Sequence, residues 1–258
     1  MGANAASKMA SQTIAARYSG ANRGHQGELM RTVIFDLDGT LADTSADLIA
    51  AANHCFVTLG HGSPLDAGAD ALTAFHGGRA MLRLGYSRLD QGQAGGGADA
   101  FADQHYPLLL SAYEGNIDRH TRLYPGAVTA VQALRAAGFA TGICTNKPAR
   151  LAEILVARLG VRDLFASLVG ADTLPVRKPD PAPYRLAVQQ AGGQVARSIL
   201  IGDTDTDRQT GRAAGVPVAL VTFGPEGAGV ARFAPEAVFD HFDELPALVA
   251  RLIPEGAP

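Results

Sequence analysis

Arg31-Thr32-Val33-Ile34-Phe35-Asp36-Leu37-Asp38-Gly39-Thr40 is the stretch whose reading decides the fold. Its first half is a short, β-branched, unbroken apolar run, the pattern of a strand buried on both faces. The run stops at Asp36, and a second acid, Asp38, follows past the strand end. Towards the C-terminus, after Tyr124-Pro125-Gly126, strand-like runs alternate with helical periods. Strands are predicted at 139–144, 167–169, 198–201 and 216–222, and helices at 127–137, 149–159, 181–191, 206–214 and 243–253. That alternation predicts an α/β core, a parallel sheet covered on both faces, which the first strand must join. Residues 43–120 read instead as helices and loops. They open with a helix over 46–59 that Thr44 or Ser45 can cap. The block is too long for a crossover loop and is expected to be a second, smaller domain. The core is then 30–42 and 121–258. Within the block, Gln91-Gly92-Gln93-Ala94-Gly95-Gly96-Gly97 has no phosphate-loop spacing and no strand before it, so it reads as a linker turn.

The 258 residues are 47% hydrophobic and 18% charged, with a formal net charge of -3. This is an ordinary soluble composition without the basic footprint that nucleic acid or an anionic membrane would attract. No apolar run reaches the roughly 20 residues that span a bilayer. The two cysteines, Cys55 and Cys144, sit in apolar runs and read as small buried hydrophobes in a reducing, cytoplasmic setting. Residues 1–29 are rich in Ala, Ser and Gly, with Lys8, Arg17 and Arg23 against the single acid Glu28. They lack the apolar centre of a secretory signal and, with Met30 directly before the first strand, are expected to be a disordered extension or the product of a start assigned too early, which activity does not need. A monomer and a homodimer fit the sequence equally.

Open α/β sheets place their ligands at the carboxyl ends of the strands. Four polar clusters fall there or in adjoining loops: Asp36-x-Asp38, Thr145-Asn146, Lys178-Pro179 and Gly202-Asp203-x-x-x-Asp207. If the strands are neighbours, the clusters share one pocket. Carboxylates so crowded repel one another and call for a cation. A ligand set of oxygens without His or Cys favours a hard ion, and beside a phosphate Mg²⁺ is the natural one. A strand-end aspartate kept ionised there can attack phosphorus. An acid two residues on can protonate the leaving oxygen and later deprotonate water. Thr145 and Asn146 can donate to phosphoryl oxygens, and Lys178 can neutralise charge growing on them. Gly39 lets backbone amides approach a phosphate, and Thr40 can orient Asp38.

In order and strand context, the four clusters resemble the four motifs of the haloacid dehalogenase-like superfamily, over roughly residues 31–253. The resemblance implies a Rossmann-like core with a helical cap inserted after the first strand, at 43–120, and an Mg²⁺-dependent phosphatase working through an aspartyl phosphate. It implies Asp36 as nucleophile, Asp38 as general acid and base, Thr145 and Asn146 as phosphate ligands, and Lys178 as the charge that stabilises the phosphoaspartate. The metal would be held by Asp36, Asp203 and the main-chain carbonyl of Asp38, with Asp207 behind them acting through water or Lys178. Acids at both positions of the first motif are the phosphotransferase pattern rather than the dehalogenase one.

A cap over the site suits small phosphorylated metabolites and disfavours proteins. Thr145-Asn146-Lys147-Pro148, Asp38-Gly39-Thr40-Leu41 and the segment Phe75-His76-Gly77-Gly78-Arg79 are most similar to the phosphoglycolate phosphatases. In that resemblance Lys147 adds positive charge near the substrate, Arg79 or Arg83 pairs with a substrate carboxylate, and His76 is a substrate contact. A sugar-phosphate phosphatase and a β-phosphoglucomutase-like mutase are the alternatives within the superfamily. A regulatory module on a disabled core is the alternative of another class, and the intact Asp36, Asp38, Lys178 and Asp203 speak against it. A phosphonate hydrolase would need a cap lysine for a Schiff base, and residues 43–120 hold no lysine.

Overall fold

Thr32–Phe35 forms the strand β1, every residue of it buried. The computed structural model describes residues 30–89 and 97–255. The expected N-terminal extension and most of the Gly-rich turn lie outside those residues; Gly97 opens a helix. Downstream of β1 come Ala42–Asp43 (β2), Arg122–Leu123 (β3), Ala140–Cys144 (β4), Ser167–Val169 (β5), Ser198–Gly202 (β6), Val218–Val221 (β7) and Ala237–Phe239 (β8). Six of them form one parallel sheet in the order β5-β4-β1-β6-β7-β8. β1 therefore sits between β4 and β6, with Phe35 opposite both Ile143 and Ile201.

The alternation within β1 explains its burial. Val33 and Phe35 point into one apolar cluster with Ile143, Ile199 and Ile201. Ile34 points into the other, with Cys144, Leu200 and Val218. A strand covered on both faces reads as a continuous apolar run for this reason. The covering helices are Ala127–Ala136, Ala149–Arg158, Pro181–Gln190, Asp205–Ala214 and Leu245–Leu252, each within two residues of its predicted span. Cys55 and Cys144 are buried and free. No described helix is long and apolar enough to cross a membrane.

The chain leaves the sheet through β2 and returns through β3. The two pair antiparallel, Ala42 with Leu123 and Asp43 with Arg122. Between them lie the helices Ser45–Thr58, Ala71–Ala74, Gly78–Leu89 and Gly97–Gly115. The first of these is not capped as expected. Thr44 occupies the N-cap position without a side-chain cap bond. Asp43 Oδ1 instead accepts from the backbone amide and hydroxyl of Ser45, which leaves the Thr44 hydroxyl free to act elsewhere.

Candidate active site

The sheet order brings the four clusters together. β4, β1 and β6 are adjacent, so Thr145, Asp36 and Asp203 emerge side by side at their carboxyl ends. The Asp36 amide donates to Ile201 O at 2.8 Å, which holds the residue in line with the sheet one step past β1. Lys178 arrives from the loop after β5. Its ammonium is buried and lies 3.1 Å from Asp36 Oδ1 and 2.7 Å from Asp207 Oδ1. Asp207 is fixed in turn by the capping box that opens the helix Asp205–Ala214, where Thr204 Oγ1 donates to its Oδ2 at 2.8 Å.

One oxygen each of Asp36, Asp203 and Asp207 lies within 4.8 Å of the other two. Burial is the largest influence on Asp36, pushing its carboxyl up to about 6 against the pull of Lys178. Asp203 is raised well above the usual carboxylate range, first by burial and then by Asp207 and Asp36. Asp203 Oδ1 accepts from the Thr40 hydroxyl at 2.9 Å. Its Oδ2 is buried without a hydrogen-bond partner among the described residues. An orphaned carboxylate oxygen among other acids, all oxygen donors, fits a hard divalent cation. Asp36, Asp203 and Asp207 are the carboxylates close enough together to hold one.

One sequence expectation changes and another is narrowed. Thr40 does not orient Asp38; it binds Asp203. Thr44 takes that part, donating to Asp38 Oδ1 at 2.6 Å. Gly39 spends its own amide on Ala42 O, so any amide it lets approach a phosphate belongs to a neighbour. Its glycine character serves another purpose. Its φ is +81°, and a Cβ there would lie 2.2 Å from Asp203 Oδ2. Any side chain would be strained and would fill the place beside the orphaned oxygen.

The Asp38 carboxylate stands apart from the acidic group. Both its oxygens accept from Lys147, at 2.8 and 3.0 Å. Lys147 is buried beside the ring of Tyr113, its ammonium 4.6 Å from the centroid. Thr145 Oγ1 accepts from the Lys147 amide at 3.2 Å. The Asn146 amide donates to Lys178 O at 3.0 Å and ties the two loops together.

These groups face a cavity of about 530 Å³. Asp36, Asp38, Thr145, Asn146, Lys147 and Lys178 line its floor, while Phe75, His76, Gly77, Arg79, Arg83 and Tyr113 line it from the helical segment. The two arginines already have acidic partners there. Arg79 Nε binds Asp103 at 2.8 Å with its guanidinium 3.7 Å above the Tyr106 ring, and Arg83 Nε binds Asp99 at 2.5 Å. Sequence reading missed Thr44 and Tyr113. Thr44 looks like an ordinary helix cap, and Tyr113 like a core position of an apolar helix.

Residues 33–221 match the family model described as haloacid dehalogenase-like hydrolase. A phosphoglycolate phosphatase from Mesorhizobium japonicum is 38% identical over 222 residues, which are 86% of this chain and 96% of that one. One from Agrobacterium fabrum is 36% identical over 87% of this chain and 94% of its own. Among solved structures, one described as a predicted phosphoglycolate phosphatase from Haemophilus somnus superposes with a TM-score of 0.72, covering 85% of this chain and 97% of that one. At 22% identity that likeness speaks for the fold alone. With the family match extending over most of the chain and these relatives covering nearly their full lengths, the chain belongs to the haloacid dehalogenase-like hydrolases, as a phosphoric monoester hydrolase.

Proposed function

We propose that the chain hydrolyses a small phosphate monoester, with 2-phosphoglycolate the leading substrate, through a phosphoryl group carried on Asp36. The observation that carries this reading is the buried cluster at the end of β1. There Asp36 and Asp207 share Lys178, and Asp203 keeps an oxygen with no partner. A Mg²⁺ held by Asp36, Asp203 and the Asp38 main-chain carbonyl would offset the negative charge of the phosphoryl oxygens.

The chain's own residues then divide the work. An Asp36 carboxylate oxygen forms a bond to phosphorus as the ester P–O bond breaks. The proton for the departing oxygen comes from Asp38, held by Thr44 and Lys147 at the cavity floor. Asp38 takes a proton back from the water that next attacks phosphorus and releases Asp36. Lys178 offsets negative charge on Asp36 and on the phosphoryl oxygens in both steps. The Thr145 hydroxyl and the backbone beside Asn146 donate to those oxygens. Residues 43–120 act as the cap: Phe75 reaches the floor from the segment 75–79, its ring 3.1 Å from where a Gly39 Cβ would stand. A closed cap excludes water and reads the leaving group. The names of the relatives support phosphoglycolate as the substrate.

The test is phosphate release from 2-phosphoglycolate and p-nitrophenyl phosphate with and without Mg²⁺. Melting temperatures with and without Mg²⁺ are read beside it. Mg²⁺ is expected to enable turnover and to raise the melting temperature of the wild type but not of Asp203→Asn. Release of phosphate from neither ester by the Mg²⁺-loaded protein would end the reading.

A further inference from the structure

Asp38 must stand in one place to hand over a proton, and two side chains hold it: Thr44 at 2.6 Å and Lys147 at 2.8 and 3.0 Å. Thr44 is short, so its hydroxyl has little room to wander. Lys147 carries its ammonium on a flexible four-carbon stem, and the direction of that ammonium is set by what surrounds it. Its side chain is only 4% exposed, so water does not complete the shell. An ammonium has three donors, and Asp38 takes two of them.

The other side of the charge is covered by Tyr113. Its ring centroid lies 4.6 Å from the ammonium, and its hydroxyl faces the same charge. Tyr113 is buried and belongs to the helix Gly97–Gly115 of the helical segment, not to the sheet. Its chain neighbours fix it there. Glu114 accepts from both terminal nitrogens of the Arg150 guanidinium. Asp118 accepts from Arg158 at 2.9 Å. Both arginines belong to the helix Ala149–Arg158, which begins just after Lys147. The helical segment is thus fastened to one stretch of the core at three points, and the innermost of them leads to Asp38.

We propose that Tyr113 is a positioning residue for proton transfer: it holds the Lys147 ammonium, and through it the Asp38 carboxyl, where the leaving oxygen is protonated. The inference rests on the phosphatase reading and goes beyond it by giving the helical segment a part in the chemistry as well as in covering the site. Tyr113 touches no reacting atom. Without its hydroxyl the ammonium loses the partner opposite Asp38 and is free to turn, and Asp38 turns with it. A reacting group displaced by about 1 Å costs up to about a hundredfold in rate. That cost falls on an ester according to how much its leaving oxygen needs the proton. p-Nitrophenolate departs as a stabilised anion, whereas phenolate, a stronger base, departs poorly unless it is protonated.

The test is the ratio of kcat/KM for phenyl phosphate to that for p-nitrophenyl phosphate, with Mg²⁺, both measured on one preparation. The two esters are alike in shape, and their ratio does not depend on the fraction of a variant that folds. Tyr113→Phe keeps the ring, removes the hydroxyl and is expected to lower the ratio about fivefold. Tyr113→Leu gives the same readout should the phenylalanine variant not fold. Lys147→Met should lower the ratio further, and adding Tyr113→Phe to it should lower the ratio no more, because the tyrosine acts through the lysine. An unchanged ratio in Tyr113→Phe, with equal losses on both esters, would make Tyr113 a structural residue and overturn the proposal. Losses that multiply in the double variant would overturn it too, since Tyr113 would then act independently of Lys147. Either result leaves the phosphatase standing. If the wild type turned over neither ester, the phosphatase reading would fail and the positioning role with it.

Discussion

The end of the sheet and the helical segment above it handle charge in opposite ways. At the sheet end the pairs are dry: the side chains of Lys178 and Asp207 are 2% and 0% exposed. Where the helical segment faces the cavity they are wet: those of Arg79 and Asp103 are 41% and 68% exposed, and those of Arg83 and Asp99 45% and 78%. A buried pair that loses one partner leaves a stranded charge, whereas an exposed pair lets water take over. The sheet end therefore has one stable arrangement, suited to chemistry that must repeat in every turnover. The helical segment can shift its pairs at little cost, as suits a surface that closes on different ligands. Tyr113 is a buried group of the helical segment that lies against Lys147 of the sheet end.

Substitutions on the two sides should therefore separate cleanly. Asp36→Asn is expected to have the largest effect, a fall in turnover of at least about a thousandfold with the melting temperature maintained. Near-normal turnover would place the nucleophile elsewhere. Lys178→Met should lower turnover about a hundredfold and also destabilise the fold by about 3 kcal/mol, because Asp36 and Asp207 lose their shared cation. Chemical denaturation reads the second effect, and an unchanged midpoint would show that the buried pair does not hold the site. Thr44→Val removes the 2.6 Å bond to Asp38 and should cost about tenfold in kcat, with KM nearly unchanged. A KM effect alone would mean that Thr44 serves the entry of the substrate. Arg79→Ala should be the mildest, within about fivefold in kcat/KM on either ester. A far larger loss confined to 2-phosphoglycolate would make Arg79 a contact of the substrate carboxylate.

What could be read from the chain follows the same division. β1, β4 and β6 announce themselves because strands covered on both faces need unbroken apolar runs, and the acids at their ends stand out against them. The helices around the sheet show their periods. β8 does not: Ala237-Val238-Phe239 is three residues long, with Val238 exposed, too short for a pattern. The β2–β3 ribbon has two residues on each side and leaves no trace of pairing in sequence. Asp36, Lys178 and Asp203 were legible as a group because their spacing and strand context are unusual together. Thr44 was hidden by its position, since a threonine before a helix is ordinarily its cap. Its hydroxyl is free for Asp38 only because Asp43 holds the helix start. Tyr113 was hidden by its helix, where an aromatic at an apolar position reads as core. Its place against Lys147 shows only once the burial and the neighbours are known.

The central claim is that Asp36 carries the phosphoryl group. Rapid acid quenching during turnover of p-nitrophenyl phosphate with Mg²⁺, followed by peptide mass spectrometry, tests it most directly. A phosphoryl adduct on the peptide containing Asp36, labile to hydroxylamine and lost in Asp36→Asn, is the expected result. Steady turnover with no adduct on that peptide, or an adduct that survives in Asp36→Asn, would contradict it.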